Sequence, residues 1–139
     1  MSFLLDTNVV SEWMKPRPNA GVVGWLADVD EDRTFLSVIT LAELGYGIER
    51  LAQSNRKNRL EEWVEGELPL RFEGRILGVD REIADFCGKV VARSEALGRR
   101  VDAMDGFIAA TAEVHGLTVV TRNVSDFQFL VKNVLNPWT

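Results

Sequence analysis

The feature that most constrains this chain is an alternation. Short apolar runs recur between longer segments whose apolar residues return with helical spacing. Phe3-Leu4-Leu5, Thr34–Val38, Arg75–Val79 and Thr118–Val120 are too short for helices, so they read as buried strands. Thr7–Met14 reads as a short helix stopped by Pro16 and Pro18, and Asn19 as the cap of a helix carrying Val22, Val23, Trp25 and Leu26. Thr40 is placed to begin a helix with apolar residues at 41, 44, 48, 51 and 52. Residues 55–68 form another amphipathic pattern, with Leu60, Trp63 and Val64 inward. Asp80 caps a long helix ending near Gly98, and Asp102 caps one running to His115, with Gly116 as its stop. Thr121–Asp126 is expected as a loop and Phe129–Val134 as a fifth strand, beyond which Pro137 blocks continuation. Strands separated by helices predict an α/β layered fold around a mostly parallel sheet.

The length of 139 residues suits one domain with one core, spanning 1–139. No apolar run is long enough for a membrane span, and Asp6 interrupts a start that lacks a basic region, so no signal peptide is expected. The one cysteine, Cys87, excludes an internal disulfide, suits a cytoplasmic setting and reads as a small core residue. The one histidine, His115, nearly excludes Ser-His triads and histidine-rich zinc sites. A net charge of −5 is an awkward balance for a phosphate-binding protein. Basic residues gather at Arg50, Arg56-Lys57-Arg59 and Arg99-Arg100, each of which reads singly as a solvated helix face.

The acids carry the chemistry. In parallel α/β sheets, ligands bind beyond the carboxyl ends of the strands. Asp6 follows the first strand directly, where it could equally cap the next helix. Glu43 stands three residues after Thr40, the capping-box spacing, yet this also places it near the carboxyl edge of the second strand. Glu43, Gly47 and Arg50 share a helix face, and Gly45 and Gly47 within that helix suggest close approach by another element. Asp105 lies three residues after Asp102 and precedes the small, apolar stretch Gly106–Ala112, which brings its helix against the sheet. Asp126 lies in a segment rich in hydroxyl and amide side chains, where a turn role competes. Together, carboxylates gathered at one sheet edge repel one another unless a cation neutralises them. Oxygen-only ligands favour Mg²⁺ or Mn²⁺, which can activate water against a phosphodiester without histidine.

The stretches Leu4–Glu12, Leu41-Ala42-Glu43-Leu44, Asp105–Ala112 and Thr121–Phe127 resemble the PIN-domain toxins of the VapC type, in order and along the whole chain. Asn136-Pro137-Trp138 resembles the ending of the FitB-like subgroup. The resemblance implies a three-layer α/β/α fold with a central parallel sheet of about five strands, usually as a homodimer. It implies a Mg²⁺- or Mn²⁺-dependent endoribonuclease, acting on RNA and silenced by a cognate antitoxin through which alone it meets DNA. By motif position Asp6, Glu43 and Asp105 correspond to the family's core acids and metal ligands, and Asp126 to its more variable fourth acid. Thr7, Asn8, Thr121 and Asn123 would orient those carboxylates or water. Two rivals compete. A haloacid-dehalogenase-type phosphatase needs Asp-x-Asp, and here the chain reads Asp6-Thr7-Asn8. A catalytically silent PIN-like binding module would keep the acids only to engage a partner protein.

Overall fold

A computed structural model describes residues Met1–Thr139. Five strands form one sheet in the order β3-β2-β1-β4-β5, with β1 at Phe3–Leu5, β2 at Thr34–Ser37, β3 at Ile76–Leu77, β4 at Thr118–Val120 and β5 at Val134–Leu135. Every pairing is parallel, with Leu4 opposite both Phe35 and Val119. Parallel neighbours need crossover connections, which the helices supply. They are α1 (Thr7–Glu12), α2 (Ala20–Asp28), α3 (Val38–Glu49), α4 (Asn55–Glu62), α5 (Leu68–Arg71), α6 (Arg81–Ala96), α7 (Ala103–His115) and α8 (Val124–Phe127).

Strand periodicity sorts the layers. Leu4 and Val119 point to one face with Ile108, Ala109 and Phe127, so α7 and α8 lie there, with α6 behind them. Leu5, Leu36 and Val120 point to the other face, against Val9 and Val10 of α1, Val22 of α2, Leu44 of α3 and Leu68 of α5. Successive strand residues thus serve opposite layers, and each fully buried Leu or Val contributes about 1.5–3 kcal/mol. The result is a three-layer α/β/α fold. Gly106 sets the closeness of the α6–α7 contact, since a Cβ there would lie 2.7 Å from Val91 Cγ2 and 3.1 Å from Cys87 Sγ. Cys87 is buried and free, a core residue as expected.

Several boundaries depart from the sequence reading. Helix α3 begins at Val38, because Ser37, the last residue of β2, takes the cap by accepting from the Ile39 N–H at 3.0 Å. Thr40 is therefore inside the helix and buried, and no capping box exists at Glu43. Gly45 and Gly47 face open space, so no element approaches them closely. The pattern at 55–68 divides into α4, a π-helical turn at Trp63–Glu67 and α5, because a wider turn there keeps both Leu60 and Leu68 buried. Lys57 is buried, with Nζ donating to the Glu49 carbonyl at 3.1 Å, so it closes the end of α3 instead of lying on a solvated face. The fifth strand falls at Val134–Leu135, and part of the loop expected at 121–126 is the helical turn α8. Helix α1 ends at Glu12, two residues short of Met14.

Candidate active site

With β1 central, β2 lies on one side and β4 on the other, so the chain reverses its direction of progress across the sheet between β1 and β4. That switch point opens a crevice at the carboxyl ends of the strands. The Asp6 N–H donates to the Val120 carbonyl at 2.9 Å, which holds the two strand ends together there. Helices α1 and α3 start at this edge because they follow β1 and β2; α7 starts there because it precedes β4 and runs back along it. Asp6 before α1, Glu43 on α3 and Asp105 in the first turn of α7 thereby line one cleft of about 320 Å³.

Asp6 is 5% exposed and sits in a hydrogen-bonded cradle. Its Oδ1 accepts from the Thr7 N–H at 2.8 Å, so it does cap α1. Its Oδ2 accepts from the fully buried Thr121 hydroxyl at 2.8 Å and from Asn8 Nδ2 at 3.3 Å. Thr121 Oγ1 in turn accepts from the Asn123 N–H at 3.0 Å, while Asn8 Oδ1 accepts from the Arg122 N–H at 3.3 Å. Thr7 Oγ1 donates to Glu43 Oε1 at 2.6 Å, which ties α1 to α3. Thr7, Asn8 and Thr121 orient the acids with their side chains; Asn123 does so through its backbone.

Asp105 differs. Burial pushes its carboxyl up to about 7, with the charges of Asp6, Asp102, Asp126 and Glu43 adding to the effect and no hydrogen bond opposing it. Asp102 alone caps α7, accepting from the Met104 N–H at 2.8 Å, so Asp105 is not spent on the helix end. Asp6 is also raised, chiefly by burial, against the hydrogen bonds from Thr121 and Thr7; the charges of Glu43 and Asp126 push it further up. Asp126 stands exposed on α8, outside the residues lining the cleft, and acts on Asp6 and Asp105 through its charge.

The cleft also holds residues the sequence reading did not single out. Ser11, Glu12 and Lys15 line it in a row with Asn8, at the i+3, i+4, i+7 spacing from Asn8 that could have found them. Glu12 is 3% exposed. Burial pushes it up, but hydrogen bonds from Lys15 Nζ at 2.6 Å and the Asn19 N–H at 2.8 Å outweigh this and hold it below the ordinary carboxylate range. Arg122 and Trp138 complete the lining. Arg50, expected on the Glu43 face, is exposed away from the cleft and lies over Tyr46.

An all-oxygen set of mutually repelling carboxylates, with Asp6 and Asp105 raised, fits a hard divalent cation, whose charge would relieve the repulsion. No three of these acids stand close enough together to enclose an ion unaided. The donors fit an open site, with water completing the shell.

The PIN-domain family profile matches residues 3–128. The chain is 42% identical to Toxin FitB of Neisseria gonorrhoeae over 97% of both chains. It is 34% identical to the VapC ribonuclease Y4jK of Sinorhizobium fredii, covering 97% of this chain and 96% of that one. Its fold superposes on the solved structure of FitAB bound to IR36 DNA fragment with a TM-score of 0.92 and 39% identity, covering 99% of this chain and 96% of that chain.

Proposed function

This chain belongs to the PIN-domain family, and from that premise we propose that it is a metal-dependent endoribonuclease acting as the toxin of a toxin–antitoxin pair. One observation carries the reading: Asp6, Glu43 and Asp105 reach a single cleft at the switch point from three different elements. The names of its relatives, a toxin and a ribonuclease, support the same class of activity.

Asp6, Glu43 and Asp105 would hold Mg²⁺ or Mn²⁺, with Asp126 adding charge from the rim. When bound, such an ion lowers the pKa of water and offsets charge developing on the phosphodiester. The protein's own part is positioning. Thr121, Asn8 and the Thr7 N–H fix Asp6 so that only its remaining lone pairs face the cleft. Thr7 occupies Glu43 Oε1 and leaves Oε2 available. Asp105 spends neither oxygen on a protein donor, and burial with the neighbouring acids holds its carboxyl up at about 7, an effect that a nearby cation would oppose. Orientation by bonded neighbours of this kind commonly alters metal affinity or activity by about 10–100-fold.

Activity of this kind needs restraint, and we assign that role to a cognate antitoxin, through which the chain meets DNA; a homodimer in solution completes the proposal. No helix is long and apolar enough to cross a membrane. The test is to incubate the purified, partner-free protein with structured RNA and Mg²⁺ or Mn²⁺, beside EDTA and Asp105→Asn controls. Cleavage requiring both metal and Asp105 is the expected result. Folded, metal-loaded protein that cuts no RNA across a broad panel would leave the silent binding module as the better reading. Light scattering showing a monomer at micromolar concentration would remove the dimer.

A further inference from the structure

The carboxylate cleft must admit a polyanion, which sharpens the question of what opposes its negative charge away from any bound cation. Glu12, Asp6, Glu43 and Asp105 all line it, and only two cations do. Lys15 is committed to Glu12 at 2.6 Å. Arg122 is exposed, and its guanidinium has no carboxylate partner within ion-pair distance. Its guanidinium lies 5.9 Å from the centroid of the Trp138 ring, the one apolar side chain in the lining.

Trp138 is held there deliberately by the segment around it. Its backbone N–H donates to Asn136 Oδ1 at 3.0 Å. The next residue is clamped to the start of α2, with the Thr139 N–H donating to Asn19 Oδ1 at 3.2 Å and Asn19 Nδ2 donating to the Thr139 carbonyl at 3.1 Å. The fit requires glycine at position 21, where a Cβ would lie 2.3 Å from the Pro137 carbonyl oxygen and 2.6 Å from Thr139 Cγ2. Packing explains part of the ring's position, since it touches the apolar layer that holds Val22 and Leu5. It does not explain why an indole is also presented to an otherwise polar cleft.

We propose that Trp138 and Arg122 form a nucleotide subsite of the cleft, the indole stacking on an unpaired RNA base and the guanidinium binding a phosphate beside the scissile one. Each partner suits the task. An aromatic face accepts any base, and an unpaired guanidinium offers a fork of donors to phosphate oxygens. Ring and carboxylates share one cleft, so a strand lying on the first reaches the second. The subsite rests on the ribonuclease reading, and its test separates the two.

Binding of a fluorescein-labelled single-stranded RNA to the full chain, measured by anisotropy in EDTA, reads the subsite without cleavage. Trp138→Leu is expected to weaken binding about tenfold or more, and Trp138→Phe, which keeps a stacking face, by much less. Gly21→Ala, which lifts the segment off α2, should resemble Trp138→Leu although it removes no cleft side chain. Arg122→Ala should weaken binding and lower the salt slope by about 0.7, the loss of one phosphate contact on a single strand. In cleavage assays with metal, the Trp138→Leu effect should fall on KM more than on kcat. Exposed Arg122 can be removed without disturbing the core, so its salt slope decides the matter even where Trp138→Leu folds poorly. Wild-type RNA affinity and salt slope in folded Arg122→Ala would overturn the subsite while leaving the ribonuclease reading intact. The same holds if Trp138→Leu loses affinity for a protein partner and none for RNA. Wild-type protein that neither binds nor cuts RNA would remove both.

Discussion

Replacing Asp105 by Asn removes a charge from the cleft while keeping the side chain's shape, and the structure sets the sign of its effect on stability. Burial and neighbouring acids hold the Asp105 carboxyl at about 7, against 3.8 for an unperturbed aspartate. Between about pH 4 and pH 7 the folded protein therefore holds a proton that the unfolded chain has released, so stability falls as pH rises through that window. A shift of about three pH units corresponds to at most about 4 kcal/mol. Solvent access to a half-buried cleft raises the effective dielectric constant and reduces the gain to about 1–2 kcal/mol. Asparagine carries no charge at any of these pH values and escapes the penalty. In EDTA at pH 8 the Asp105→Asn protein should melt about 3–6 °C above wild type. The gap should close toward pH 4.5, where wild-type Asp105 is protonated too. If the proposed site holds the ion, adding Mg²⁺ or Mn²⁺ should raise the wild-type midpoint and leave the variant's nearly unchanged, because the variant lacks one of the three carboxylates. Scanning calorimetry at pH 4.5, 6 and 8, with and without metal, reads all three effects. A variant no more stable than wild type at pH 8 in EDTA would refute the electrostatic account of the cleft.

Other side chains of the site give separable outcomes. Thr7→Val deletes the 2.6 Å bond to Glu43 while keeping the helix start, and metal affinity by calorimetry should fall about 10–100-fold with little change in melting. Unchanged affinity would mean that Glu43 needs no orienting partner. Thr121→Val removes the 2.8 Å donor that opposes the effect of burial on Asp6, so Asp6 rises further. The acid limb of the pH–rate profile at limiting metal should then move to higher pH; an unmoved limb would exclude this coupling. Glu12→Gln weakens the links to Lys15 and Asn19 and should cost about 1–3 kcal/mol at pH 7 by urea unfolding. Because Glu12 is held below its ordinary range, that stability is present above about pH 4 and fades as pH falls, so the two proteins should converge in acid. A gap that persists at pH 3 would point to packing instead of charge.

What the sequence determined was local. Alternating residues such as Leu4 and Leu5 specify opposite layers within one strand, and Asn19, Asp80 and Asp102 cap the helices expected of them. The positions of Asp6, Glu43 and Asp105 beside strand ends or helix starts were likewise readable as a motif in order. Where two local signals competed, the sequence reading followed the wrong one. It began the helix at Thr40, whereas Ser37 at the end of β2 accepts from the Ile39 N–H and takes the cap, so Glu43 is not spent on a capping box. Two-residue strands such as β5 carry too little periodicity to be placed from the chain alone. Only the tertiary structure decided which residues meet. Parallel pairing of β1 with β4 brings Thr121 within 2.8 Å of Asp6 across the sequence, and the closing segment reaches back to Gly21 to set Trp138 in the cleft. Such contacts depend on strand order and crossover handedness, which sum over the whole sheet; no window of neighbouring residues contains them.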